Sequence, residues 1–531
     1  MAGQTADAVV IGAGPNGLVA ANALVDAGWD VVVLEANDEV GGAVRSAEVT
    51  APGFVNDMFS AFYPLAAASP VIRALDLGAH GLTWVQAESV LAHALDDGRA
   101  AVLSPDAART AESVDAFAHG DGEAWLAMFE QWRRIRDPLL DALFTPFPPI
   151  TSTVRLLRRL GTAGTVDLAR LAVTPVRRLG QERFDGAGAA LLLEGNAMHS
   201  DVPPDAAGSG VFGWLLAMLG QDVGFPVPRG GAQQLASSLQ RRIVARGGQV
   251  RTGARVASVV LSGGRAVGVR LQDGTTVNAR KAVLADVPAP TLYDELVGHD
   301  HLPAAFVRDL SKFQWDNSTL KVNWALDRPV PWRADGARGA GTVHLGQDSD
   351  GLVDFAADLT VGRVPQRPFV LFGQMTTTDP TRSPEGTESA WAYTHVPRGV
   401  DWTREAVDAH VQRVEDAVER VAPGFAATAL ARHVQSPHDL QEADANLVEG
   451  AINAGTSNLH QQLFMRPTPG LGRPETPVPG LYLASASAHP GGGVHGACGW
   501  NAARSALASS GRAGVVKDAL VRTAWGRLLK N

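Results

Sequence analysis

Gly12, Gly14 and Gly17, followed by Glu35, are the residues whose types and spacing most clearly prepare a chemistry. In a G-x-G-x-x-G turn the first glycine makes the tight bend, the second leaves room for a pyrophosphate and the third lets helix and strand pack closely. Pro15 and Asn16 fill the positions between. A carboxylate about twenty residues on is placed to accept hydrogen bonds from ribose hydroxyls. Groups able to move protons are fewer. His489 and His495 flank a second glycine turn, Gly491 to Gly493. A histidine there can take up a proton as a hydride departs, or serve structurally, His489 packed in the turn and His495 at a helix start. Lys321 lies in TLKVNWAL, where proton transfer competes with a solvated edge-strand lysine, and His199 lies in NAMHSDVPP, a loop able to line a pocket. Cys498 is the single cysteine, which excludes a CxxC pair and disulfide reductase chemistry, and reads as a small buried residue.

The elements that must position these residues follow in order. Ala8 to Ile11 reads as a buried parallel strand, Leu18 to Ala27 as a helix and Val31 to Leu34 as a second strand ending in Glu35. That context turns a weak glycine pattern into a dinucleotide site, with phosphates at free N–H groups of the helix N-terminus. Gly41, Gly42 and Arg45 come next, and this GG-x-x-R resembles the second glycine motif of the glutathione-reductase-like FAD family. The resemblance implies FAD, with Ala36, Gly42, Ala43 and Arg45 beside it. Gln249 to Val256, Val259 to Leu261, Ala266 to Leu271 and Thr276 to Val283, separated by SGGR and QDGT, read as a β-meander. In FAD enzymes of this type such a segment returns to the nucleotide domain, and Val256 matches the position that contacts adenine. Leu481 to Ala484 reads as a strand, and Gly492, Gly493 and Val494 form a turn and the first residue of a helix, aimed at the charge that a flavin develops on reduction.

The chain has 531 residues, 45% hydrophobic and 19% charged, which fits a folded protein of more than one domain. A net charge of −9 and a pI near 5.9, with no Cys/His zinc pattern, exclude nucleic acid as an expected partner. No apolar run approaches the roughly 18 residues of a membrane span, and no signal sequence precedes the first strand, so a cytoplasmic location is expected. The basic, apolar stretch of residues 154–178, with Arg155, Arg158, Arg159, Arg170, Arg177 and Arg178, reads as a weak peripheral membrane contact or a solvated arginine face. The expected fold is α/β: a glutathione-reductase-like Rossmann domain built from separated segments (1–70, 227–292 and 439–531) and a mixed α+β substrate domain (71–226 and 293–438).

Together VIGAGPNGL, LE with GGAVR, PRGGAQQL, FMRPTPG and LYLASASAHPGGGVHG resemble the phytoene desaturase family of FAD-dependent oxidoreductases, nearest to bacterial relatives of pyridine nucleotide-disulfide oxidoreductase domain-containing protein 2. The resemblance implies dehydrogenation or isomerisation of an apolar substrate, often a polyene. It also implies a place for Lys321 like that of the lysine that reaches a flavin-bound water in related amine oxidases. One departure separates the chain from a polyene substrate: many relatives carry histidine where Ala454 precedes Gly455. The leading reading is removal of hydride from a hydrophobic small molecule to flavin N5, with oxygen, a quinone or a partner protein as acceptor, since a single dinucleotide fingerprint is visible. A flavin amine oxidase and an FAD-stabilised interaction protein with little turnover are the alternatives.

Overall fold

Val31–Leu34 and the second half of Gln4–Ile11 are fully buried runs of branched and small apolar residues, and in the computed structural model they lie parallel, Ala8 against Val31 and Ile11 against Leu34. Continuous burial on both faces is what a parallel sheet requires. The structure describes residues 4–511 and 514–529, so the outermost bounds expected for the nucleotide domain, 1 and 531, lie outside it. Thr276–Ala285 pairs with the other side of Gln4–Ile11, Gln249–Arg251 extends the sheet beyond Val31–Leu34, and Leu481–Leu483 adds to Thr276–Ala285. Val256–Ser262 and Arg265–Leu271 continue antiparallel from Thr276–Ala285. The strand expected over Gln249 to Val256 is therefore two. It breaks at Gly253 (φ +61°), and the Ala254 amide turns to the Glu35 carbonyl at 2.7 Å.

A second sheet runs in the order Ala429–Gln435, Ser318–Leu326, Glu388–Val396, Val370–Gln374, Ala340–Leu345, Ser89–Ala94 and Ala100–Leu103. One face packs on the helix Arg404–Val421 around Trp324, Phe372 and Phe425. Thr319, Lys321, Asn323, Trp391, Tyr393 and His395 alternate onto the other face, as a pleated strand demands. The hairpin Ser89–Leu103 falls in a stretch that reads as helix and loop. Helices Asp121–Phe144, Ala187–Ala197 and Ser209–Val223 enclose a separate core around Trp125, Trp132 and Trp214.

The two ends of the nucleotide domain meet through helices Pro15–Asp26 and Ala497–Ser510, where a Cβ on Gly499 would stand 1.8 Å from the Asn16 carbonyl oxygen. The second helix begins at Ala497, not Val494, because Gly496 takes a left-handed conformation (φ +72°) just before it. Gly499→Ala should lower stability by about 3 kcal/mol, the upper end for an overpacked site, since the opposing atom is backbone and cannot yield. Gly526→Ala, with nothing within 4 Å of its Cβ, is the matched control and should be neutral or slightly stabilising. Urea midpoints of the two variants check this; equal midpoints would refute the tight contact.

Candidate active site

The N-terminal turn admits no side chain. A Cβ on Gly12 would lie 2.8 Å from the Asp286 carbonyl oxygen, one on Gly14 2.8 Å from Asp286 Oδ2, and one on Gly17 2.2 Å from the Gly12 carbonyl oxygen. Glu35, at the end of the second strand, accepts from the Ala13 amide (2.8 Å) and the Asn37 amide (2.9 Å), so its carboxylate is held over the turn with Ala36 between. The second glycine motif closes on the first: a Cβ on Gly42 would approach Gly14 Cα at 3.1 Å, and the Gly41 amide donates to the Ala13 carbonyl at 2.9 Å. The Ala43 carbonyl accepts from Ser60 Oγ at 2.6 Å. Arg45 donates to the carbonyls of Gly42 (3.0 Å) and Ala443 (2.6 Å) and lies over the Phe59 ring. Val256 opens the meander two residues after Ala254. Amides, a buried carboxylate and a guanidinium around a space shaped by glycine fit the pyrophosphate and ribose of FAD.

Asp286, at the end of Thr276–Ala285, is absent from the expectations above and changes one of them. Its Oδ2 accepts the Gly17 amide at 2.7 Å, so that first-turn N–H is not free. Burial, with Asp444 and Glu35 nearby, pushes its carboxyl up to about 7.

At the C-terminal turn, a Cβ on Gly492 would meet Asn453 Oδ1 at 2.5 Å, and Gly493 (φ +101°) lies against Leu65. His495 Nδ1 accepts the Ala497 amide at 3.0 Å, which leaves its hydrogen on Nε2, directed at the Gly491 carbonyl 3.2 Å away. His489 Nε2 lies 3.1 Å from the Thr145 carbonyl. Burial pushes both rings down to about 4, so both are neutral near pH 7. Val494 packs against the core beneath the first helix. Buried Arg466 donates to the carbonyls of Ala486 (2.8 Å), Thr456 (2.8 Å) and Asn453 (2.9 Å), and Asp316 accepts the amides of Ile452 and Asn453, which fixes the loop that carries Ala454. Cys498 is buried, and its thiol is pushed up to about 12 by burial.

Lys321 is not on an edge strand. Ser318–Leu326 runs between Glu388–Val396 and Ala429–Gln435, and Lys321 is 2% exposed. Its Nζ donates to the carbonyls of Asp57 (2.5 Å) and Phe59 (2.9 Å) and lies 5.1 Å from the Trp391 ring centre. Burial pushes it down to about 7; Asp57 opposes the shift and Arg382 adds to it. His199 turns inward, its Nε2 2.9 Å from His344 Nε2, and burial pushes it down to about 3, while its neighbours Met198 and Ser200 line a cavity of about 640 Å³. Within 154–178 the charge is partly compensated: Arg155 pairs with Asp141, Arg170 and Arg178 share Glu182, and Arg177 pairs with Asp350. Among the described residues no helix is long and apolar enough to cross a membrane.

A glycine cradle for a dinucleotide, with a second sheet burying a lysine where it meets the cradle's loop, defines a flavin-dependent oxidoreductase. The flavin containing amine oxidoreductase family model matches residues 16–507, and the chain belongs to that family. It is 31% identical to the pyridine nucleotide-disulfide oxidoreductase domain-containing protein 2 of Mus musculus, over 94% of this chain and 92% of the relative. It is 24% identical to the neurosporene-forming phytoene desaturase of Rhodobacter capsulatus, over 92% of this chain and 91% of that one. A solved variant of putrescine oxidase superposes with a TM-score of 0.59 at 19% identity, covering 96% of this chain and 100% of its own. The protein is an FAD-dependent oxidoreductase that dehydrogenates its substrate.

Two outcomes test the cradle. Glu35→Ala should weaken FAD binding by about 1.5–3 kcal/mol, the range for a hydrogen bond to a charged group, measured by equilibrium dialysis; unchanged affinity would remove Glu35 from the ribose role. Asp286 keeps its proton in the folded state up to about pH 7, whereas the unfolded chain releases it near pH 4. The folded state thus binds more protons in that window, and this carboxyl lowers stability as pH rises through it. The stability difference between Asp286→Asn and wild type should move in the variant's favour from about pH 4 to about pH 7 and level off above; urea midpoints across pH read it, and a constant difference would contradict the shift.

Proposed function

We propose that the enzyme removes hydrogen from a C–H bond of a hydrophobic small molecule held between the two sheets, with residues 1–70, 227–292 and 439–531 holding FAD and 71–226 and 293–438 the substrate. The observation that carries this reading is Lys321, buried on the substrate sheet yet bonded to Asp57 and Phe59, which follow the Arg45 motif. FAD, when bound, supplies the hydride acceptor at N5. A neutral lysine amine has two N–H donors, which match the two carbonyls, and a lone pair left to take the second hydrogen as a proton at Nζ. His489, His495 and His199 are already engaged through ring nitrogens and serve as positioning residues in this reading. The Gly12, Gly14, Pro15, Asn16, Gly17 turn, Glu35, Ala36, Gly42, Ala43, Arg45 and Val256 address the adenylate half, and Gly492, Gly493 and Val494 the ring. Oxygen, a quinone or a partner protein reoxidises the flavin.

An amine substrate is the second reading, carried by the lysine itself. Anaerobic bleaching of the flavin by neutral hydrophobic donors, set beside peroxide release from amines, decides between them. With the donor so found, Lys321→Met should slow flavin reduction by about 10²–10⁴-fold. The wild-type rate should rise as pH passes upward through about 7, where Nζ loses its proton, and the variant should lack that limb. Stopped-flow absorbance reads both; a limb that survives in the variant assigns the proton transfer elsewhere.

A further inference from the structure

The helix Ile150–Leu171 buries only a narrow ridge, Ser152, Leu156 and Leu160, with the two leucines in the core around Trp125, Trp132 and Trp214. Ile150, Val154 and Leu157, spaced by four and three residues, form a second stripe along the same helix, and this one faces solvent. Another apolar element stands beside its start. Leu463 and Phe464 lie on the short turn Leu463–Met465, and the Phe464 ring is 5.3 Å from the ring of Phe147, three residues before Ile150. The Phe147 amide donates to the Gly472 carbonyl at 3.1 Å, which ties the two segments together. The five side chains of the stripe and the turn are between 40% and 68% exposed. Exposed apolar residues scattered singly are ordinary, but a group that converges from two distant segments marks a surface made to be covered. Leu463 carries a further sign: its φ is +57°, in the left-handed region that favours glycine or asparagine, so a half-exposed leucine is kept there against its backbone preference.

Charge separates this face from the rest of the molecule. The chain has a net charge of −9, yet neither residues 150–166 nor residues 457–474 contain an acid, and the first stretch carries Arg155, Arg158 and Arg159. Arg155 pairs with Asp141 from the neighbouring helix, and Arg159 reaches the Arg134 carbonyl at 3.2 Å. Arg158, one turn after Val154 and beside the stripe, has no carboxylate partner among the described residues. We propose that this face docks on a lipid bilayer with anionic headgroups, the stripe and the Leu463–Phe464 turn entering the acyl boundary and Arg158 meeting the headgroups. A bilayer offers apolar depth and negative charge together. A second copy of the chain offers less, because a two-fold contact through this face sets its arginines against their own copies. Asn458 and His460, a few residues before Leu463, line the cavity of about 640 Å³, so docking brings one wall of that cavity close to the lipid.

The test uses the FAD-loaded full chain, sedimented with vesicles of phosphatidylcholine made with and without phosphatidylglycerol. Anionic vesicles should bind it at least about tenfold more tightly than neutral ones, and added salt should narrow the gap, since salt screens the arginines and leaves the apolar contact. Leu463→Asn, which suits the left-handed backbone, combined with Ile150→Ser should weaken binding to anionic vesicles by at least about tenfold. Arg158→Gln should weaken it about fivefold, equivalent to about 1 kcal/mol. Val244→Ser removes a comparably exposed apolar group on the helix Gln233–Ala245 and should bind as wild type does. An unchanged flavin spectrum verifies the fold of each variant. Absence of binding, equal binding to both vesicle types, or binding that survives Leu463→Asn with Ile150→Ser overturns the proposal. So does a concentration-dependent dimer in ultracentrifugation that the same double variant dissolves, which assigns the face to a second copy. Vesicle binding is read without turnover, so the docking surface and the dehydrogenation reading stand or fall separately.

Discussion

The ion pair between Asp57 and Arg382, both fully buried, joins the segment that follows the Arg45 motif to the turn that leads into the strand Glu388–Val396 of the second sheet. Two charges removed from water are favourable only when their remaining hydrogen-bonding capacity is met. Here the Asp57 carboxylate also accepts from Ser46 Oγ and the Ala232 amide, and its carbonyl accepts from Lys321. One residue therefore gathers the strand after the Arg45 motif, the start of the helix Gln233–Ala245, the second sheet and the Pro380–Arg382 turn. Removing either charge would leave the other buried and unpaired, which is far worse than removing both. Lys321 inherits its position from this arrangement, while its lowered proton affinity comes from burial, which Asp57 opposes and to which Arg382 adds a smaller push.

The parts legible in the sequence are those whose signal is local. Val31 to Leu34 is a strand in the structure over those same residues, and the Gly12 to Glu35 spacing survives because turn, helix and acid all lie within one β-α-β unit. The hairpin Ser89–Ala94 and Ala100–Leu103 escaped because its strands are rich in alanine, which favours helices, and only the pairing with Ala340–Leu345 makes them sheet. Lys321 shows the same limit from the other side. A short alternating run gives no sign of whether its strand is central or at an edge, and that depends on Ala429–Gln435, more than a hundred residues later. Asp286 has no motif at all: it acts through the Gly17 amide, more than two hundred residues away in the chain.

The site's electrostatics follow from where these acids sit. Glu35, Asp286 and Asp444 are all buried around the space that the glycine motifs leave; Glu35 and Asp444 raise the proton affinity of Asp286, and Glu35 raises that of Asp444. A pyrophosphate brings more negative charge to the same place. Arg45 and the helix N-terminus oppose it, and a carboxyl that holds its proton near neutrality removes one repulsive term. The same carboxyl, protonated or not, still serves the Gly17 amide through an oxygen lone pair, so the turn does not depend on its charge.

The contact of Gly499 with Asn16 then carries a thermodynamic consequence. The Gly12–Gly17 turn and the Gly491–Gly493 turn are separated by most of the chain, yet the helices that follow them touch backbone to backbone. A ligand that bridges both turns binds only when that contact is made, so its binding free energy adds to the stability of the joined state by mass action, about 2.7 kcal/mol at a hundredfold excess over Kd. A cofactor bound across both turns would thereby be part of the fold as well as of the chemistry. The second sheet, tied in through Asp57 and Lys321, would be stabilised with it, although that sheet contributes none of the glycine-motif residues.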